Sequence, residues 1–244
     1  MTQKDKLYSP KEEKWNSFSH LLGIILGLSV MPYLFNLANN YSFLEDIINY
    51  PDTFSQTTIA IRQWLALHAW IAPFSMGLYF FGMLSSYTCS TVYHALPNGK
   101  AKKRWRHADH AAIYFQIAGT YAPVTILLLT LSSYWGFALF LFQYIAAITG
   151  TFFDLKPQKQ HNHIETICYI VMGLSALVAI HPMYEILSIQ DKMPVLWWIL
   201  AGGVSYIIGA LFYSLHNRIY MHTIFHFFVL GGSICHIIAL IALF

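Results

Sequence analysis

Seven stretches of this chain stay apolar long enough to cross a lipid bilayer, which leaves very few folds open to it. A hydrocarbon core about 30 Å thick takes about 20 residues of helix. Runs of that length lie near residues 17–38, 66–94, 110–131, 134–153, 164–184, 194–215 and 221–244. Within the bilayer every backbone N–H and C=O must be bonded inside the protein, so only helices or a closed barrel can span it. None of the runs alternates apolar with polar residues as a barrel strand does. The expected fold class is therefore all-α, an integral membrane bundle of seven helices. Charged residues make up 10% of the chain, against about 25% in soluble domains, and mean hydropathy is +0.49. The domain plan is a short tail at 1–16 and one transmembrane domain over 17–244. The first run exceeds the apolar core of a signal peptide, and no small-residue cleavage motif clearly follows, so it is expected to remain as a span.

Orientation follows from the basic residues. Lys4, Lys6, Lys11 and Lys14 precede the first span, and Lys100, Lys102, Lys103, Arg104 and Arg106 follow the second. Lys156 and Lys159 follow the fourth, Arg218 precedes the seventh, and only Arg62 and Lys192 fall on the opposite face. Positive residues stay on the cytoplasmic side, so the N-terminus is expected in the cytoplasm and the C-terminus outside, in a multi-pass protein of the cell membrane. The net charge of +3 then reports topology. It does not point to a nucleic-acid partner; the expected partners are membrane lipids, with the Lys100–Arg106 connection able to touch anionic headgroups. Cys89, Cys168 and Cys235 all fall inside spans without CxxC spacing, which argues for packing roles and against a disulfide framework. The long connection near 39–65 is expected to form an ordered cap outside the membrane.

With that topology, polar residues from four distant regions meet at the inner leaflet. Glu13, Asn16 and His20 open the first span, Ser90 and His94 close the second, Asp109 opens the third, and His222 and His226 open the seventh. Ionisable groups at membrane depth are costly and mark functional sites. His222 and His226 stand one helical turn apart, about 6 Å along the axis, so both rings project from one face and can grip one metal ion with a third ligand from elsewhere. His94 is a candidate for that third position, with His20, His107 and His110 competing. Asp109 is either an N-cap of its helix or a group that orients a ligand or a water. Ser90, one turn before His94, either faces the same cavity or bonds back to its own helix. His236 lies about 15 Å further along the last helix than His226, too far to join the same centre. His161, His163 and Glu165 form a further polar group whose simplest reading is a solvated loop. Pro123 is expected to kink the third span, while Gly202–Gly203 and Gly231–Gly232 allow close helix approach.

The elements Glu13-x2-Asn16-x3-His20, Ser90-x3-His94, Asp109 with Ile113, Gly119-Thr120-Tyr121-Ala122-Pro123 and His222-x3-His226 carry a resemblance. In their order, spacing and placement at span ends the chain resembles the bacterial hemolysin III branch of the progestin and adiponectin receptor family, within a superfamily that includes alkaline ceramidases. The resemblance implies a seven-helix fold holding an intramembrane zinc on His94, His222 and His226, with Ser90 and Asp109 beside it as the catalytic pair and Glu13, Asn16 and His20 supporting. The receptors carry a longer soluble N-terminal region that this chain lacks, which weakens any inference of hormone sensing.

Three functions compete at this stage. A zinc-dependent hydrolase of a lipid amide or ester, taking an acyl-chain substrate from the bilayer, fits three protein ligands with a fourth position open. A pore-forming, cytolytic protein is what the hemolysin name implies, although no file of polar residues marks a conduction path. A non-catalytic regulator of membrane composition or energetics is the third. The topology itself is testable: reporter fusions should place the N-terminus inside and the residues after Phe244 outside. Both reporters on one side would mean an even number of spans and would separate the proposed ligands.

Overall fold

The computed structural model describes residues 8–49, 55–132, 134–154, 163–215 and 218–244. Lys4, Lys6, Lys156 and Lys159, which contribute to the expected orientation, lie outside them, as does His161. Among the described residues all regular structure is helical. Helix α1 (Pro10–Asn39) opens through a capping box: Ser9 Oγ accepts the Glu12 N–H, and the Glu12 carboxylate accepts the Ser9 N–H. The helix therefore starts well before residue 17, and Glu13, Asn16 and His20 share one helical stripe at i, i+3 and i+7.

Two short helices, α2 (Glu45–Asn49) and α3 (Gln56–Leu67), occupy the connection that follows. The cap expected there is ordered around a fully buried Arg62, which donates to Tyr41 Oη at 3.4 Å and sits 5.6 Å from the centre of the Phe43 ring. Helix α4 (Ile71–Ala95) leaves α3 at an angle of 82°. The run expected at 66–94 is thus broken before Ile71: His68 leaves helical geometry (φ −121°, ψ 52°), and its ring bonds the Trp64 carbonyl.

Helix α5 (Lys100–Pro123) also begins earlier than expected, since the basic run at 100–106 forms its first turns instead of a loop. Beyond Pro123 the helix loosens into a π turn (Val124–Leu128) and then a 3-10 turn (Leu129–Ser132). Proline supplies no N–H to the ladder; Thr125 Oγ1 bonds the Tyr121 and Ala122 carbonyls at 2.9 and 3.1 Å and helps satisfy the loosened turn. Helix α6 (Tyr134–Asp154) follows. Helices α7 (His163–Leu174) and α8 (Ile180–Ile189) are joined by a 3-10 turn and together form one span over Ile164–Ile189. Tyr121 staples this break, donating to the Gly173 carbonyl at 2.7 Å and accepting the Ala176 N–H at 2.8 Å. Helices α9 (Met193–Ser214) and α10 (Met221–Leu243) complete the chain.

Among the described residues six helical spans have the length and hydropathy needed to cross a membrane, and the bent pair α3–α4, taken as one span, brings the number to seven. α4 packs between α1 and α5, α10 between α1 and α9, and α6 covers α5. Large apolar side chains such as Phe137, Leu141 and Phe152 on α6 point outwards, as befits a surface wetted by lipid. Cys89, Cys168 and Cys235 are free. The tightest seam joins α4 to α5: a Cβ at Gly119 would lie 2.6 Å from the Leu78 carbonyl oxygen, and one at Gly82 would collide with the Phe115 carbonyl. Gly82→Leu should therefore push these helices apart at a cost of about 1–3 kcal/mol, seen as a lower thermal midpoint in detergent. An unchanged midpoint would contradict this packing.

Candidate metal centre

The start of α10 and the end of α4 meet at one end of the bundle and bring three buried histidines together. His222 Nε2 lies 3.2 Å from His94 Nε2 and 3.0 Å from His226 Nε2. Nitrogen ligands at 2.0–2.1 Å around a tetrahedral ion would stand about 3.3 Å apart, so the spacing suits one shared cation. Among the described residues this is the group with the donor set and spacing to hold a metal ion. His94 is thereby the histidine that joins the α10 pair. Of its competitors, His110 turns away to pair with Glu165 on α7 at 2.8 Å, so Glu165 belongs to a helix contact and not to a loop. His20 stacks on His226 with ring centres 3.6 Å apart and offers neither nitrogen to the group.

The other ring nitrogens decide whether lone pairs face that common point. His94 Nδ1 lies 2.6 Å from Glu13 Oε2, and a carboxylate accepts, so Nδ1 carries the hydrogen and Nε2 keeps its lone pair. His226 Nδ1 lies 3.1 Å from the Asn16 carbonyl oxygen and 3.0 Å from Ser19 Oγ. The carbonyl only accepts, so here too Nδ1–H is the donor and Nε2 is bare. His222 Nε2 could donate to one of these lone pairs but not to both. A cation between the three rings resolves the conflict, and the fit is that of carboxylate- and carbonyl-held metal histidines.

Glu13 is itself held. Its Oε1 accepts from Lys102 Nζ at 2.9 Å, and Lys102 also donates to the Tyr93 and Leu96 carbonyls at 2.9 and 3.1 Å. Lys102 is buried, a charge matched by the carboxylate it faces. The chain Lys102–Glu13–His94 thus ties α5, α1 and α4 together. On the other flank Glu12 Oε1 accepts the Tyr220 N–H at 2.8 Å, where Tyr220 takes a left-handed conformation (φ 62°) just before α10, and Thr223 Oγ1 donates to Asn16 Oδ1. These bonds set the register of α1 against α10, and so of the centre. Tyr8, at the threshold of α1, stacks on His222 with ring centres 4.7 Å apart. Burial pushes its phenol above the ordinary range, so it stays a neutral cover over the rings.

Asp109 lies in the third turn of α5, which rules out the N-cap role; it is buried within electrostatic reach of His94, His110 and Ser90. Ser90 is also buried, with its hydroxyl beside Asp109. Ser90, Asp109, His20, His222 and His226 line one end of a cavity of about 410 Å³. The cavity runs between α5, α7–α8, α9 and α10, along apolar side chains such as Ile117, Ile170, Leu200 and Ile207, as far as Leu240 and Leu243. The wall is mostly apolar, with polar side chains at the histidine end, at Thr120 and Tyr121 on α5, at Thr166 and Tyr169 on α7, and in a patch deeper in.

Lys102, Ser19 and Tyr8 bear no pattern in the sequence that singles them out. Lys102 is one of several basic residues that topology alone accounts for, and Ser19 is an ordinary small helix residue. Glu12 carried one signal, the Ser9-x2-Glu12 spacing of a capping box.

The chain is similar to the family described as Haemolysin-III related, whose profile matches residues 8–237. It is 31% identical over 223 residues to "Hemolysin-3" of Bacillus cereus, covering 91% of this chain and 87% of that protein. It is 30% identical over 227 residues to "Hemolysin-3 homolog" of Bacillus subtilis (strain 168), covering 93% and 92%. The geometry yields a prediction independent of the match. Glu13→Gln keeps an acceptor near His94 but removes the charge that holds its Nδ1–H, and should weaken binding of a divalent metal ion roughly 10- to 100-fold in a chelator competition. Unaltered affinity would contradict the role of Glu13.

Proposed function

The chain belongs to the haemolysin-III-related family, and from that premise and the site geometry we propose that this multi-pass membrane protein is a zinc-dependent hydrolase of a lipid amide or ester. The observation that carries the reading is the junction of the three-histidine centre with a long apolar cavity. Three imidazoles leave a fourth position for water or substrate, the mark of a catalytic rather than a structural site. Zinc bound there would polarise a carbonyl oxygen and bring the acidity of water near neutrality.

The chain's own groups supply the remainder. The cavity receives the acyl chain and places the carbonyl beside Ser90 and Asp109. The Asp109 carboxylate takes a proton from the water whose oxygen bonds to the carbonyl carbon, and it returns that proton to the amine or alcohol that leaves. The Ser90 hydroxyl, buried beside Asp109, donates to the carbonyl oxygen as charge develops on it. Glu13 and Asn16 hold the ligand rings from behind, and His20 packs the His226 ring in place.

Reconstitution in liposomes tests this. Asp109→Asn should keep its zinc and lose lipid turnover by about 10²–10⁴-fold, while His94→Ala should lose both. Dye release measured in parallel covers the cytolytic reading that the relatives' name, hemolysin, suggests. Leakage without product, insensitive to Asp109→Asn, would overturn the hydrolase in favour of a pore.

A further inference from the structure

Deep in the same cavity sits a polar patch that the hydrolytic chemistry does not use. Ser233 on α10 gathers three partners: Tyr87 Oη at 2.7 Å, Tyr206 Oη at 3.1 Å and Gln116 Nε2 at 3.4 Å. A serine hydroxyl has one hydrogen and two acceptor sites. The short contact takes the Tyr87 hydrogen, and Gln116 Nε2 can only donate, so both acceptor sites of Ser233 are filled. Its hydrogen then goes to Tyr206 Oη. That leaves the Tyr206 hydrogen as a spare donor beside the cavity that Tyr206 lines.

His236, one turn further along α10, supplies the complement. Its Nε2 lies 3.3 Å from the Ile199 carbonyl, which only accepts, so Nε2 carries the hydrogen. Nδ1 is then a bare acceptor, and it has no partner. His236 also lines the cavity, with its ring centre 5.4 Å from that of Tyr206. Two glycines make room for these rings. A Cβ at Gly202 would run into the His236 ring, and one at Gly232 would lie 2.6 Å from the Tyr206 ring. Their presence has a purpose beyond helix approach: they hold two polar rings beside an otherwise greasy wall.

We propose that Tyr206 and His236 form a subsite for a hydroxyl group borne partway along an acyl chain. A hydroxyl both accepts and donates, so it can accept the Tyr206 hydrogen and donate to His236 Nδ1; a methylene can do neither. Ser233 and His236 follow His226 by seven and ten residues, which places the subsite about 10–15 Å from the histidine centre along α10. The favoured ligand is thus a mid-chain hydroxylated acyl group, and the inference rests on the reading of this cavity as an acyl-chain site. An unpaired buried acceptor disfavours the plain chain, and one made bond favours the hydroxylated one.

The test uses the full chain in detergent with zinc bound and measures binding of octadecanoic acid, its mid-chain hydroxy derivative and its terminal hydroxy derivative. The mid-chain derivative should bind roughly five- to tenfold more tightly than the plain acid, with no such gain for the terminal one. Tyr206→Phe should abolish the preference while leaving plain-chain affinity within about twofold. His236→Leu should do the same and serves as the second variant if Tyr206→Phe does not fold. Equal affinity for plain and mid-chain hydroxylated acids, or a preference that survives both substitutions, would overturn the subsite alone. Failure of every chain to bind would overturn the acyl-chain reading itself, and the subsite with it.

Discussion

A neutral imidazole offers a lone pair to a metal only from the nitrogen that carries no hydrogen, so the bonds behind the rings matter as much as the rings. Here an acceptor on α1 stands behind one ligand from α4 and another from α10: the Glu13 carboxylate behind His94, the Asn16 carbonyl behind His226. Both acceptors lie on one face of one helix. The register of α1 therefore decides whether two lone pairs converge or turn away. The capping box at Ser9 and Glu12, the Glu12 bond to the Tyr220 N–H, and the Thr223–Asn16 bond all set that register.

This arrangement requires charge at a depth where charge is costly, and it is neutralised in sequence across three helices. Lys102 is buried but faces Glu13, and Glu13 faces the Nδ1–H of His94. A cation at the histidines would extend the alternation by one more step. Beyond them the cavity wall turns mostly apolar. The patch at Tyr206 and His236 departs from that wall, and its spare donor and acceptor are complementary to a single small group.

Much of this was legible in the sequence because the signals were local or topological. His222 and His226 are one turn apart on an apolar helix, and placing the span ends by charge brings His94 and Asp109 to the same depth. The boundaries that differ do so for physical reasons. Hydropathy sees only the apolar part of α5, so the polar first turns from Lys100 were invisible to it. A single polar residue, His68, in the otherwise apolar run at the bend is too little to break the hydropathy signal, although Pro73 sits where proline is tolerated only in a first turn, and α4 does start at Ile71. Lys102 could not be separated from its basic neighbours, because its partner Glu13 lies far off in sequence. The subsite was similarly hidden: Gly202 and Gly232 have their meaning only against the rings of His236 and Tyr206.

The central claim is that His94, His222 and His226 hold zinc through their Nε2 atoms. X-ray absorption at the zinc edge on purified full-length protein tests it most directly. About one zinc per chain is expected, with three imidazole nitrogens at about 2.0–2.1 Å, one further light ligand and no sulfur neighbour. A folded protein that purifies without zinc, or one whose zinc has sulfur or only oxygen ligands, would contradict it.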